Sequence, residues 1–216
     1  MNPKALVHVT MTSDLMCPWC WVGLRKLQEA AKNTNIEAVV EWKPFLLRPN
    51  HPEEGVLKTD PTPASRVGRH LKMAGQSVGI DFTGLTDRTP NTTLFHAVMK
   101  YLQDDLKMSP KDATAYHEAV FEGYFTLGEF PDQKGLLKAA SRVPNHSESL
   151  TKCIAGLFQD SQKLVALKDD VRKEAYEASR RGISGVPSFA VNGKTLFSGA
   201  QPVEVFEEVL TRFAHQ

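Results

Sequence analysis

Cys17 and Cys20 bracket Pro18 and Trp19, directly after the strand-like run Leu6-Val7-His8-Val9-Thr10-Met11 and directly before Trp21, Leu24 and Leu27, which recur at helical spacing. A strand therefore delivers Cys17 to the start of a helix. At that end the unpaired N–H groups and the positive pole of the dipole favour a thiolate over a thiol. Cys17 is the expected attacking sulfur. Cys20, one helical turn further on, lies on the same face and can resolve a mixed disulfide by intramolecular attack. Pro18 suits the first helical turn, because it has no N–H to lose. The competing chemistries for such a pair are a zinc half-site and two ordinary buried thiols. A structural zinc site takes four ligands, the third cysteine is the distant Cys153, and the seven histidines form no pair at short spacing. No metal is expected.

The rest of the composition sets the setting for that dithiol. The chain has 216 residues, 41% of them hydrophobic and 24% charged, enough to bury one sizeable core or two small ones. Its 26 basic and 25 acidic side chains leave a formal charge of +1, which supplies no bulk field for nucleic acid or an anionic membrane. Neither partner is expected. The first residues carry no apolar core of signal-peptide length and no later stretch approaches bilayer-spanning length, so the expected location is the cytoplasm. There a cysteine pair is more often catalytic or metal-binding than a structural staple.

After a first helix ending near Asn33, Ile36–Lys43 alternates like a sheet strand and Pro44 ends its pairing. Strand, helix, strand implies a right-handed crossover and a parallel pair, with Cys17 at the carboxyl edge where open α/β sheets hold ligands. The stretch from His51 to Pro63 is rich in proline and acidic residues and leads out of this unit. Helical patterns then predict helices near Ala64–Met73, Thr92–Leu106, Pro110–Phe125, Asp132–Ala140, Ser147–Leu157 and Gln159–Arg181. Ser109 with Pro110, and Ser147, are the expected start signals. Strands over Ser188–Val191 and Lys194–Phe197 flank the hairpin dipeptide Asn192-Gly193, and a closing helix follows from Pro202 to Phe213.

Gly182-Ile183-Ser184-Gly185-Val186-Pro187 sits just ahead of that hairpin and completes a pattern begun by Ser13-Asp14 and Cys17-Pro18-Trp19-Cys20. With Trp42-Lys43-Pro44-Phe45, Asn91-Thr92 and Phe197-Ser198-Gly199-Ala200-Gln201-Pro202, five blocks in order, the chain resembles the thioredoxin superfamily. More narrowly it is similar to its DsbA-like group, including the FrnE-type thiol–disulfide oxidoreductases. The resemblance implies an α/β thioredoxin fold with a helical domain inserted between its halves, the thioredoxin part covering 1–50 and 183–216 and the insertion 51–182. It also implies a cis bond between Val186 and Pro187, with Pro187 facing Cys17 and the Val186 backbone pairing with an incoming peptide.

The function implied is a reductase or isomerase of protein disulfides acting through Cys17, Cys20 and Pro187, its partner a disulfide-containing protein or small thiol. No cofactor is required, with glutathione the candidate co-substrate and monomer or homodimer the expected assembly. The alternative is a glutathione-dependent isomerase or transferase of the kappa-class or 2-hydroxychromene-2-carboxylate isomerase type. In those relatives the stretch matching Ala200 and Gln201 helps hold glutathione, although this chain lacks their acidic and basic pair and keeps a cysteine where they carry serine. Pro18, Trp19, Val186, Asn91, Ala200 and Gln201 are the expected substrate-binding residues. A third reading is a peptide-holding chaperone that senses redox state. Trp42 is expected in the core, Trp19 and Trp21 at the cleft's rim, and Cys153 as a buried inert thiol. His96 and His117 receive no role.

Overall fold

The computed structural model describes residues 4–214. Strand β1 (Leu6–Ser13) leads through Cys17 into α1 (Pro18–Thr34), and β2 (Glu37–Pro44) returns parallel to β1, with Val9 opposite Val40 and Met11 opposite Trp42. Residues of β1 alternate between exposed and buried at its start and are buried on both faces over Met11–Ser13, the end that meets the dithiol. Asn35 closes α1 in the left-handed conformation and returns its N–H to Ala31 and Lys32.

Between β2 and the last hairpin the chain is mostly helical. A two-stranded ribbon pairs β3 (Val56–Leu57) with β4 (Arg88–Thr89), and α2 (Arg69–Gln76) lies between them in sequence. The predicted helix over Ala64–Met73 is in fact two pieces, a 3₁₀ turn at Pro63–Arg66 and then α2, because Val67 and Gly68 are extended. A two-residue strand is too short to show a period, so the ribbon carries no sequence signal. Next come α3 (Thr93–Lys100), which runs on as a π-helical turn over Tyr101–Asp105, then α4 (Pro110–Phe125), α5 (Gln133–Ser141), α6 (Ser147–Gln159) and α7 (Ser161–Arg180).

Ser109 caps α4 as expected, accepting the Asp112 N–H at 3.1 Å. Ser147 does not cap α6. It is the first helical residue, and the cap position belongs to His146. The chain closes with β5 (Ser188–Val191), β6 (Lys194–Ser198) and α8 (Val203–Phe213). Asn192 and Gly193 both take positive φ between the hairpin strands, the backbone that a tight two-residue turn requires.

The sheet order is β2-β1-β5-β6, with only β1 and β2 parallel. Helices α1 and α8 pack on each other, while α4 and α7 bring the 51–182 segment against β2. Buried side chains from both parts form one continuous core. The outer edge of β2 is covered at Trp42, whose N–H donates to Gln103 Oε1 at 3.0 Å and whose carbonyl accepts from Gln103 Nε2. An exposed strand edge is a template for unwanted pairing, and here a side-chain amide occupies it.

Candidate active site

Cys17 is the N-cap of α1, with extended backbone, and Pro18 is the first helical residue. Its thiol donates to the Val186 carbonyl at 3.3 Å, across 169 residues of sequence, and the bond from Val186 to Pro187 is cis. Pro187 is held from behind by α1: a Cβ built on Gly23 would stand 3.2 Å from both Pro187 Cγ and Phe189 Cζ, close enough that a side chain there would make one of them give by a few tenths of an ångström. The Pro187 carbonyl accepts from the Gly199 N–H at 2.8 Å, which ties this turn to the loop after β6. The structure thus brings Cys17, Cys20, Val186 and Pro187 together.

The two sulfurs are free and differ sharply in setting. A hydrogen bond from the Cys20 thiol, helped by the N–H groups of Cys20 and Trp19, pulls the Cys17 thiol below its ordinary range against the opposing effects of burial and Asp14. Burial, and then the neighbouring Cys17, pushes Cys20 well up. Cys17 is 7% exposed and Cys20 is not exposed at all. One sulfur therefore ionises more readily than an ordinary thiol while its companion holds its proton and is fully covered, an asymmetry suited to a nucleophile and a resolving thiol.

In a Cys153→Ser chain, reduced and folded, iodoacetamide should modify Cys17 alone near neutral pH, several times faster than free cysteine, since each unit of lowering multiplies the thiolate about tenfold. A depressed folded value makes Cys17 contribute stability to the reduced form at pH above the ordinary thiol range, and that contribution is lost as pH falls through the depressed value. Equal labelling of Cys17 and Cys20, read by mass spectrometry, would contradict this.

Pro18 and Met16 form one wall of a cavity of about 160 Å³. Leu71, Phe82, Tyr124 and Phe125 give it an apolar lining, and Lys58 and Arg66 bring two cations to it. Lys58 donates to the Thr86 carbonyl at 3.1 Å, and burial followed by the Arg66 charge lowers its affinity for its proton. The Arg66 guanidinium is held by backbone carbonyls of Asp60, Pro61, Gly84 and Leu85. The two positive charges favour an anionic group at this cavity, and neither cation belongs to a sequence motif.

The other expected site residues fare differently. Trp19 is partly buried and its ring lies 5.2 Å from that of His70 on α2. Trp21 is not on the rim: it is 3% exposed and packs against Phe82, Phe121 and Phe125. Asn91 spends its side chain internally, its amide donating to the His51 carbonyl and its Oδ1 accepting the Thr93 N–H at the start of α3. Ala200 and Gln201 precede the first turn of α8, whose cap is Pro202, so they do not offer first-turn N–H groups. The Ala200 carbonyl accepts from Lys26, while the Gln201 N–H and side-chain amide fold back on Gly199 and Ser198. Trp42 is core, and Cys153 is half-buried rather than buried. Among the described residues no His/Cys/Asp/Glu cluster suited to a metal is formed, and no helix is long and apolar enough to cross a membrane.

The family model of the DSBA-like thioredoxin domain matches residues 8–211. The chain belongs to this family. Within the DSBA-like fold the chain is similar to YwbO of Bacillus subtilis (strain 168), an uncharacterised protein, at 28% identity over 95% of this chain and 96% of that one. Among solved structures it is similar to the probable DsbA oxidoreductase SCO1869 of Streptomyces coelicolor, at TM-score 0.71 and 23% identity, covering 97% of this chain and 91% of that one. It is also similar to a 2-hydroxychromene-2-carboxylate isomerase, at TM-score 0.66 and 17% identity over 97% of both chains. The cytosolic disulfide reductase DsbM of Pseudomonas aeruginosa, solved with GSH, matches at TM-score 0.61 and 18% identity over 97% of this chain and all of that one. At these identities the structural likenesses establish the DsbA-like thioredoxin fold.

Proposed function

We propose that this DSBA-like protein is a cytoplasmic thiol–disulfide oxidoreductase that reduces or isomerises protein disulfides. The observation that carries the reading is the asymmetric pair at the start of α1, with the Cys17 thiol against the Val186 carbonyl and drawn toward ionisation by the Cys20 hydrogen bond, while burial makes Cys20 hold its proton. The Cys17 thiolate attacks one sulfur of a substrate disulfide, forming a mixed disulfide and releasing the other sulfur as a thiolate. Cys20 then gives up its proton and attacks Cys17, releasing the second substrate sulfur. Two electrons pass to the substrate and the pair ends as a Cys17–Cys20 disulfide. Val186 and Pro187 hold the peptide beside Cys17, and Pro18 and Trp19 frame its approach. In a reducing compartment, net reduction or isomerisation is favoured over oxidation.

A specific observation favours a second reading, a glutathione-dependent isomerase or transferase. The cationic cavity next to Pro18 suits the carboxylates of a small thiol, and one similar structure is a 2-hydroxychromene-2-carboxylate isomerase. Two measurements on the parent chain separate the readings. Turnover of insulin disulfides with a dithiol donor supports the first, and its absence together with stoichiometric glutathione binding by calorimetry overturns it in favour of the second.

A further inference from the structure

Behind the dithiol lies a buried carboxylate that disulfide exchange leaves unused. Asp14 is fully buried, and its two oxygens accept the Leu47 N–H at 2.7 Å and the Met16 N–H at 3.2 Å. A carboxylate withdrawn from water needs a compensating charge. Cys17, Tyr124 and His96 are ionisable groups near Asp14. Two of them, Cys17 and Tyr124, are acids that its charge pushes upward. The third is His96 on α3, whose Nε2 lies 3.7 Å from Asp14 Oδ1 and has no hydrogen-bond partner among the described residues. His96 alone of these can carry the opposing charge.

His96 is 5% exposed, yet it lines a cavity of about 290 Å³ against β2. The other ionisable groups around that cavity come from every element packed there: His8 on β1, Glu41 and Lys43 on β2, Lys100 on α3, Asp104 in the π-helical turn, His117 on α4 and Glu174 on α7. Most are matched with one another. Lys43 pairs with Glu41, and Lys100 with both Asp104 and Glu174. His117 stays neutral, because burial and then the neighbouring His96 hold it well below the imidazole range. His8 stands exposed at the rim. Of the two buried imidazoles lining this cavity, His96 is the one that also reaches Asp14.

We propose that His96 is a positioning residue for the dithiol: it exchanges a proton through the cavity against β2, and its charge, set against Asp14, adjusts how readily Cys17 ionises. With an imidazolium present, the pair is neutral and the Cys17 thiolate meets no net repulsion. With a neutral imidazole, the Asp14 charge stands alone and favours the protonated thiol. The inference takes its purpose from the disulfide-exchange reading, but the coupling itself needs no substrate. Its proton route is lined by different residues from those of the cation-bearing cavity beside Pro18.

The test is the pH profile of Cys17 alkylation by iodoacetamide in the reduced full chain, read by mass spectrometry. His96→Gln should move the midpoint up by about 0.5–1 pH unit, a roughly three- to tenfold loss of thiolate on the acid side. Asp14→Asn should move it down, and in that background His96→Gln should add nothing. A His96→Gln profile that superimposes on the parent, or a shift that persists without the Asp14 charge, overturns the proposal.

Asp14→Asn sets an amide NH₂ against a backbone N–H, so Asp14→Ala runs beside it, and a His96→Gln shift that persists in the Asp14→Ala chain also overturns the proposal. Insulin turnover on the same samples keeps the two readings apart, since coupling without turnover rejects only the function and turnover without coupling rejects only this inference.

Discussion

Insulin reduction by a Cys17→Ser chain should fall to the rate of the donor alone, with no residual contribution from Cys20. The reason is positional. Cys20 is fully buried, and that burial, the largest cause holding its proton, remains in the variant, so no second thiolate stands at the surface to take over the attack. Cys20→Ser should behave differently, because Cys17 keeps its place at the N-cap of α1 and still forms the mixed disulfide. That intermediate then has no resolving partner. Covalent adducts with substrate should accumulate and run as a shifted band without reductant, collapsing to the parent mass when dithiothreitol is added. Turnover by Cys17→Ser within a factor of a few of the parent would remove the basis of the proposed function.

Trp42→Ala should cost about 3–5 kcal/mol of folding free energy, the range for emptying a large aromatic site. Trp42 is 4% exposed, its ring centroid lies 3.6 Å from that of His117, and its Nε1 donates to Thr114 Oγ1 at 3.1 Å. Truncation leaves the Thr114 hydroxyl and a buried imidazole facing a void between β2 and α4. Against a typical total of about 5–15 kcal/mol, such a loss moves the urea midpoint far to the left with the slope unchanged. Trp42→Phe should keep much of the ring packing and lose chiefly the hydrogen bond, about 1 kcal/mol of its cost. A loss under about 1 kcal/mol for the alanine variant would mean that the neighbours collapse into the space.

Much of the frame was legible because its signals are local. The alternation of Ile36–Lys43, the apolar spacing of Pro110–Phe125 with Ser109 before it, and the turn chemistry of Asn192-Gly193 each specify their own element within a few residues. Where the local signal is ambiguous, sequence reading slipped. A helical pattern over Ala64–Met73 hides the extended backbone at Val67 and Gly68, and Trp21 looks the same from sequence whether it faces a cleft or the three phenylalanines that bury it. Asn91 and Gln201 are polar residues in the right blocks, but their side chains are occupied by carbonyls of His51 and Ser198.

The sequence by itself determined that two thiols stand one turn apart where a strand runs into a helix, because spacing, proline and apolar period are properties of neighbouring residues. Only the tertiary structure decided what surrounds them. It set Val186 against Cys17 across 169 positions, Lys58 and Arg66 beside Pro18, and His96 behind Asp14. Burial and charge act through distance in space, and those distances exist only once β5 has paired with β1 and the 51–182 segment has packed against β2.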